Sequence, residues 1–515
     1  VGTNSAVAQA EVQHEEGTIE TKVPARLDRL PWSKWHWMII IGLGTVWILD
    51  GLEVTIIGSI GDRLTESGSG ISLDASQIGS AAAFYVAGAC VGALFFGQLT
   101  DRFGRKKLFL VTLGVYIVAT MATGLAFAPA YFFACRFVTG MGIGGEYAAI
   151  NSAIDELIPA RLRGRVDLTI NGSYWVGASV GALLTVPLLN TSIFAEDFGW
   201  RLSFLIGAVL GVGILIVRRH VPESPRWLFI HGKNDEAEQI VGEIEEDVEH
   251  DTGEKLSEVS DDEKLTIHQR ATIPFREIAS VAFKKYPKRT ILGLSLFVGQ
   301  AFLYNAVTFD LGTILGEFFD VGSGQVPLYI AVFGASNFIG PLTLGRLFDT
   351  VGRKIMISLC YLTSAALTAV LGIVLLSTTP STLVFMAFVL AIFFFASSGA
   401  SAAYLTVSEI FPMESRALSI AFFYAVGTGL GGIIGPLLFG ELINTGDLSK
   451  VAVGFLIGAV VMAIGGIAEI FFGVNAEGKT LESIAEPLSA AKGRISKGKT
   501  GAEAGSGSEP PPAMV

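Results

Sequence analysis

Gly97-Gln-Leu-Thr-Asp101-Arg-Phe-Gly104-Arg105-Lys-Lys107 decides how the rest of the chain is read. It is a short basic turn hinged on glycine, and the apolar stretch on either side is long enough to cross a bilayer. The turn returns as Gly345-Arg-Leu-Phe-Asp349-Thr-Val-Gly352-Arg353-Lys354, with glycine, acid, glycine and basic pair at the same spacing. Two copies of one turn imply two copies of one membrane unit.

A second pair of turns agrees. Glu156-Leu-Ile-Pro159 followed by Arg163 matches Glu409-Ile-Phe-Pro412 followed by Arg416, a displacement of 253 residues, against 248 for the first pair. Parallel repeats of six spans are a plan that membrane transporters use. Composition points the same way. The 515 residues have a mean hydropathy of +0.56 and only 16% are charged, too apolar for a soluble globule. Without ten-residue alternating segments a β-barrel is excluded, so the expected fold class is an all-α membrane protein. Cys90, Cys135 and Cys360 fall in separate spans, which suggests packing residues and neither disulfides nor a metal site. The net charge of −11 is local: residues 234–263 hold fourteen Asp and Glu against one lysine, and the remainder is close to neutral.

The hydrophobic pattern predicts twelve transmembrane helices in two six-helix halves. Residues 1–35 form a cytosolic tail, polar and expected to be disordered to about residue 30, and 36–217 form the N-terminal half. A cytosolic linker, 218–288, carries short amphipathic helices and an acidic, mobile stretch near 246–264; 289–475 form the C-terminal half, and 476–515 a disordered cytosolic tail. Within the linker, Asp235-Glu-Ala-Glu238 reads as a capping box ahead of Ile240, Val241, Ile244 and Val248. Trp32, Trp35 and Trp37 suit an interfacial belt where the first span enters. Lys and Arg cluster on one set of alternate loops, which places both termini in the cytosol.

On these paired turns the chain resembles the major facilitator superfamily over about residues 36–475. Pro222-Glu-Ser-Pro-Arg226-Trp-Leu, Asp235-Glu-Ala-Glu238 and Ser408-Glu-Ile-Phe-Pro412 resemble the sugar porters within it. Asp50-Gly-Leu-Glu53 and Gly144-Gly145-Glu146 are similar instead to proton symporters for aromatic acids and related metabolites. The resemblance implies alternating access driven by a proton gradient, with no cofactor and no metal.

Asp50 and Glu53 are acids in mid-span, a costly placement that marks a proton carrier or a packing salt bridge. Arg136 is the cation that the sugar porters' pattern offers them, and either acid could be its partner. Glu146 is assigned a structural or hydrogen-bonding role ahead of a transport one. For substrate, the resemblance implies Gln300, Tyr304 and Asn305 in the seventh span and Asn171 in the fifth. Tyr404 stands where sugar porters carry Trp, and Trp175, Asn337 and Asp310 are further cavity candidates. Gln300 and Asn305 lie about 140° apart on an ideal helix, so a shared ligand predicts a broken helix there. Asp101, Arg105, Glu156 and Arg163, with Glu223 and Arg226, and Asp349, Arg353, Glu409 and Arg416 in the second half, resemble the family's cytosolic gate network.

No nucleophile triad, metal-ligand spacing or phosphate-binding loop is present, which argues against an enzyme. The expectation is a monomeric proton symporter of a small polar metabolite, in the inner or plasma membrane. Its partners are a small-molecule substrate, protons and the lipid bilayer, and no nucleic acid. A sugar-like substrate stands ahead of an organic or aromatic acid; a drug antiporter and a non-transporting nutrient sensor are the other readings.

Overall fold

The computed structural model describes residues 18–159, 161–218, 223–261, 264–268, 280–411, 416–477, 479 and 484–485. A strand, β1 (Thr18–Thr21), and a short helix, α1 (Val23–Asp28), precede the first long helices. These are α2 (Lys34–Val54) with its continuation α3 (Ile56–Thr65), α4 (Ala75–Phe103), α5 (Arg105–Gly124), α6 (Pro129–Leu157), α7 (Arg163–Leu188) and α8 (Glu196–Arg218). Between the halves lie α9 (Pro225–Ile230), α10 (Asn234–Thr252) and β2 (Leu265–His268). The second half holds α11 (Pro287–Phe319), α12 (Val326–Thr350), α13 (Arg353–Ser377) and α14 (Thr382–Ile410). It closes with α15 (Arg416–Phe423), which passes through a π-helical turn at Tyr424–Thr428 into α16 (Gly429–Asn444), and with α17 (Leu448–Phe472). Among the described residues, nine helical segments are long and apolar enough to cross a bilayer. Side chains such as Val118, Leu383 and Phe471, 68%, 80% and 73% exposed, face outward, a surface that suits lipid and not water.

The repeated turns owe their glycines to backbone geometry. Gly104 (φ 92°) and Gly352 (φ 114°) precede α5 and α13, in a region where a side chain would be strained. Other glycines let helices touch. A Cβ on Gly88 would lie 1.9 Å from the Phe137 carbonyl, and one on Gly51 1.7 Å from the Tyr174 carbonyl, so α4 meets α6 and α2 meets α7 backbone to backbone. The two halves join as closely. Away from the basic turns, Gly58 on α3 sits against the Thr308 carbonyl of α11, and Gly312 of α11 against the Gly58 carbonyl. Beside them Ser179 on α7 donates to the Ala331 carbonyl of α12 at 2.9 Å.

Several expectations change. The segment from residue 18 onward is ordered: β1 pairs antiparallel with β2, Thr18 opposite His268, and α1 buries Val23 and Leu27. The acidic stretch is helical through Thr252 and is where this segment docks. Arg26 Nε donates to Glu245 at 2.9 Å, Arg29 also pairs with Glu245, Arg26 pairs with Glu238, and Lys34 with Asp251 at 2.8 Å. Opposite charge 200 residues away, invisible to local pattern, orders both segments. No capping box forms: Lys233 caps α10 without a side-chain bond, and Glu238, inside the helix, is taken by Arg26. Val241, Ile244 and Val248 are buried as their spacing predicts. Trp37 is exposed, as a belt residue should be, whereas Trp35 packs into the core. Past residue 476, Ala485 is buried and the Ile484 carbonyl accepts from Arg289 at 3.0 Å; residues beyond 485 lie outside the described set. The seventh span is unbroken over Pro287–Phe319. The first span breaks instead, at Thr55, whose hydroxyl donates to the Gly51 carbonyl at 2.6 Å.

Burial raises the Glu245 carboxyl, but hydrogen bonds from Arg26 and Arg29 outweigh it and hold the group below its usual range. A lowered folded-state value stabilises the clamp in full above the unfolded value, ~4.3, and the contribution fades as pH falls through the lowered one. Protection of the amides over residues 22–29, the exchange rate relative to that of the unfolded chain at the same pH, is therefore expected to hold from neutral pH down to about 5 and to fall below about 4. Glu245→Gln should lose that protection at neutral pH; protection retained in that variant would count against the clamp.

Candidate functional site

The halves enclose a cavity of about 130 Å³. From the first half it is lined by Trp47 and Val54 of α2, Tyr85 and Val86 of α4, and Asn171, Tyr174 and Trp175 of α7. From the second come Gln300, Tyr304, Asn305, Thr308 and Phe309 of α11, Ser397, Ala400, Ser401 and Tyr404 of α14, and Tyr424 and Thr428 of the π-helical turn. Eight of these eighteen are aromatic and none is charged. The rings touch across the halves: Trp175 and Tyr304 have centroids 5.5 Å apart. Asn171 and Asn305 each donate to the carbonyl four residues earlier, at 3.0 and 2.9 Å, which pins both amides against their helices.

All the residues expected in the cavity line it except Asn337 and Asp310; Asp310 is buried on α11 outside the lining. Asn337 is fully buried one layer behind it, where its Oδ1 accepts from the Tyr304 hydroxyl at 2.7 Å and its Nδ2 donates to the Phe333 carbonyl at 2.9 Å. It orients Tyr304 and does not reach the cavity. Gln300 and Asn305 both line the space although α11 is regular, because the cavity wraps more than one face of the helix. Trp47, Tyr85, Tyr174, Thr308, Phe309, Ser397, Ser401, Tyr424 and Thr428 were not foreseen. A π-helical turn shifts the face that a helix presents, so period counting could not place Tyr424 and Thr428.

Arg136 settles which acid it takes. Its Nη1 donates to Glu53 Oε1 at 2.7 Å, and both side chains are completely buried. It does not reach out to the membrane surface. The guanidinium lies 4.5 Å over the Tyr85 ring, so one wall of the cavity is the other face of the ion pair's site. Asp50, one turn earlier, is 1% exposed, and Glu146 is buried with its Oε1 accepting from Thr112 at 3.3 Å. Among the described residues no cluster has the makeup of a metal site.

At the end of the bundle that holds the basic turns, Arg353 is the hub. It donates twice to Glu409, at 3.1 and 3.0 Å, and once to Asp349 at 2.7 Å. Asp349 Oδ2 accepts from the Arg165 backbone N–H at 2.9 Å, so a second-half acid is held at the first turn of α7, where a helix N-terminus favours negative charge. Gly164 makes room: a Cβ there would lie 2.4 Å from Asp349 Oδ1. Glu223 accepts from the Lys106 N–H at 3.1 Å, and Arg163 lies 3.7 Å from Asp28. The side chains of Asp101, Arg105, Glu156, Arg226 and Arg416 lie outside the described set.

Residues 31–488 match the family described as sugar (and other) transporter. The chain belongs to that family. Among its relatives are the niacin transporter NiaP of Acinetobacter baylyi, 26% identical over 89% of this chain and 99% of its own length, and the putative metabolite transport protein YdjK of Escherichia coli, 30% identical over 89% and 96%. A solved structure of the major facilitator proton:xylose symporter XylE, bound to 6-bromo-6-deoxy-D-glucose, superposes with a TM-score of 0.70 at 18% identity, covering 88% of this chain and 98% of that one. The fold is thus the major facilitator fold, and the chain is a transporter of sugar-porter type.

Two consequences follow for this transporter. Removing one partner of a buried ion pair strands the other charge, at a cost of about 3–5 kcal/mol. Arg136→Gln should therefore lower the melting temperature in detergent markedly, and Glu53→Gln/Arg136→Gln should recover much of the loss; equal loss in single and double variants would exclude the pairing. Asp349→Asn should loosen the basic end, so that a cysteine placed at Ala400 in the cavity is labelled several-fold faster from that side. An unchanged rate would mean the Asp349 contact does not hold the halves together.

Proposed function

We propose that the protein is a proton-coupled symporter that takes up a small metabolite built on one planar ring, an aromatic or heteroaromatic acid. The observation that carries this is the uncharged, aromatic-rich cavity separated by the Tyr85 ring from the buried Glu53–Arg136 pair. Offset and edge-on rings suit a flat solute, and the Asn, Gln, Ser and Thr groups offer both donors and acceptors for its polar edge. A proton arriving at Glu53 removes the counter-charge of Arg136. The guanidinium behind Tyr85 is then the nearest cation for a carboxylate in the cavity, so proton and anion are bound together. The niacin specificity in the name of one relative supports an acid of this kind.

The same reading sets the transporter in the cell membrane as a monomer of twelve spans, six in each half, with both termini cytosolic and the proton gradient as its energy source. Asp349, Arg353 and Glu409 then form part of a cytosolic latch that parts when the cavity opens inward, and several moderate bridges suit a contact that must form and break. A sugar-like substrate is the second reading, favoured by Gln300 and Asn305, whose amides can bridge hydroxyl groups.

Purified protein in liposomes, offered labelled niacin, benzoate and xylose, distinguishes these. The expected result is counterflow of a ring carboxylate, accumulated when the lumen is alkaline, with Glu53→Gln keeping counterflow and losing accumulation. Transport of xylose alone would favour the sugar reading, and uptake indifferent to the pH gradient would remove proton coupling.

A further inference from the structure

Asp310, on α11, is fully buried, and neither of its carboxylate oxygens has a hydrogen-bond partner. Among the described residues it forms no ion pair either. Among the described residues the charged groups at that end of the packed helices include Asp62, Arg63 and Glu66 of α3 and its end, Asp74 before α4, Glu317 and Asp320 of α11 and its end, Glu441 on α16, and Asp447 and Lys450 at the start of α17; Arg63 is taken by Glu66, and Asp62 lies in the seam, 2.2 Å from a would-be Cβ on Gly316. Thr308 and Phe309, just before it, line the cavity, but Asp310 points elsewhere. On a regular helix it shares a face with Leu303 and Ala306, about 200° from Thr308. Leu303 packs on Gly458 of α17 and Ala306 on Gly435 of α16, so this face looks into the apolar interior of the second half.

The Asp310 face adjoins the tight seam with α3: Thr313, one turn on and about 60° round, lies against Gly61, whose would-be Cβ is 3.2 Å from Thr313 Oγ1, and next to it Gly58 meets the Thr308 carbonyl at 2.2 Å from its would-be Cβ and Gly312 meets the Gly58 carbonyl at 2.3 Å. That seam adjoins the cavity lining at Thr308 and Phe309, toward the end away from the basic turns. An ionised carboxylate with no counter-charge and no donors is among the costliest groups to hold in such an interior. Glu53 differs, because Arg136 lies 2.7 Å from it as a hydrogen-bonded counter-charge. Glu469 is also buried without a hydrogen bond, but it lies near the basic end of α17, away from the seam.

We propose that Asp310 is a second proton-binding residue of this transporter, loaded while the α3–α11 seam is shut and discharged to water only when α11 parts from α3. The proposal rests on the proton-coupled reading and adds a second site to it. Linkage makes the relation reciprocal: whatever shuts the seam favours the proton on Asp310, and the proton favours the shut seam.

The test needs no substrate. With Cys90, Cys135 and Cys360 replaced by serine, Thr313→Cys places a thiol in the seam, since a Cβ on Gly61 would lie 3.2 Å from Thr313 Oγ1. An impermeant methanethiosulfonate is added from outside, and rates are normalised to unfolded protein at each pH. Labelling should be slow at low pH and rise with pH, by at most about tenfold per unit for one proton. Asp310→Asn should stay slow throughout, and Asp310→Glu should restore the rise. Persistence of the rise in Glu53→Gln supports the proposal even if the Glu53 coupling reading fails. A rise that survives in Asp310→Asn, as titration of Asp62 or Glu53 would produce, or no rise in the starting protein, overturns it. If Asp310→Asn does not fold, Asp310→Leu replaces it in a thermal melt. The starting protein should melt lower at pH 8 than at pH 6 and the Leu variant should not; equal shifts overturn the proposal.

Discussion

A charge inside a hydrocarbon slab has to bring its counter-charge with it, and most of this structure is arranged around that constraint. Arg136 and Glu53 meet it within the first half, two long side chains spending their charge on each other in complete burial. Arg353 meets it in the second half by binding Asp349 and Glu409 together, and Asp349 passes part of its charge to the first turn of α7. Outside the bundle the same arithmetic, in easier surroundings, ties Arg26 and Arg29 to Glu245. Asp310 alone among these groups is held without help, which is why its protonation and the packing around it are the same question.

Close packing decides what such charges can do. Glycine lets α3 and α11 meet backbone to backbone at one end, while Gly164 admits Asp349 at the other. Between them sits a cavity whose wall, at Tyr85, is also the cover of the Glu53–Arg136 pair. In the proposed mechanism protonation, ligand binding and the choice of open end are coupled through a few residues in contact, with no need for a long-range relay.

Much of this was legible in the residues. The helices were, because runs of about twenty apolar residues have one stable answer in a membrane. The turn glycines were, because positive φ selects glycine locally. Asp50, Glu53 and Arg136 stood out as charges in apolar runs, yet which acid faced Arg136, 83 residues from Glu53, depended on helix rotation and crossing, and these follow from glycine contacts between helices far apart in the chain. The expected break at Gln300 failed because it assumed a ligand on one side of α11, whereas the space wraps around it. The N-terminal segment read as unstructured because its partners are the acids of α10 and the strand at 265–268, and no local pattern encodes a partner so distant.

By itself the sequence determined a duplicated, all-helical membrane protein with basic turns at one end, a short roster of buried charges and an amide-bearing seventh span. These are properties of composition and spacing, and they survive any arrangement of the helices that satisfies the membrane. Only the tertiary structure decided that Glu53 takes Arg136, that Asn337 serves Tyr304 from behind, that eight aromatic rings line the cavity, and that Asp310 has no partner. Each of those depends on which faces of helices far apart in the chain are turned toward each other, and that is settled by packing, where a rotation of one helix by a single residue would exchange the whole set.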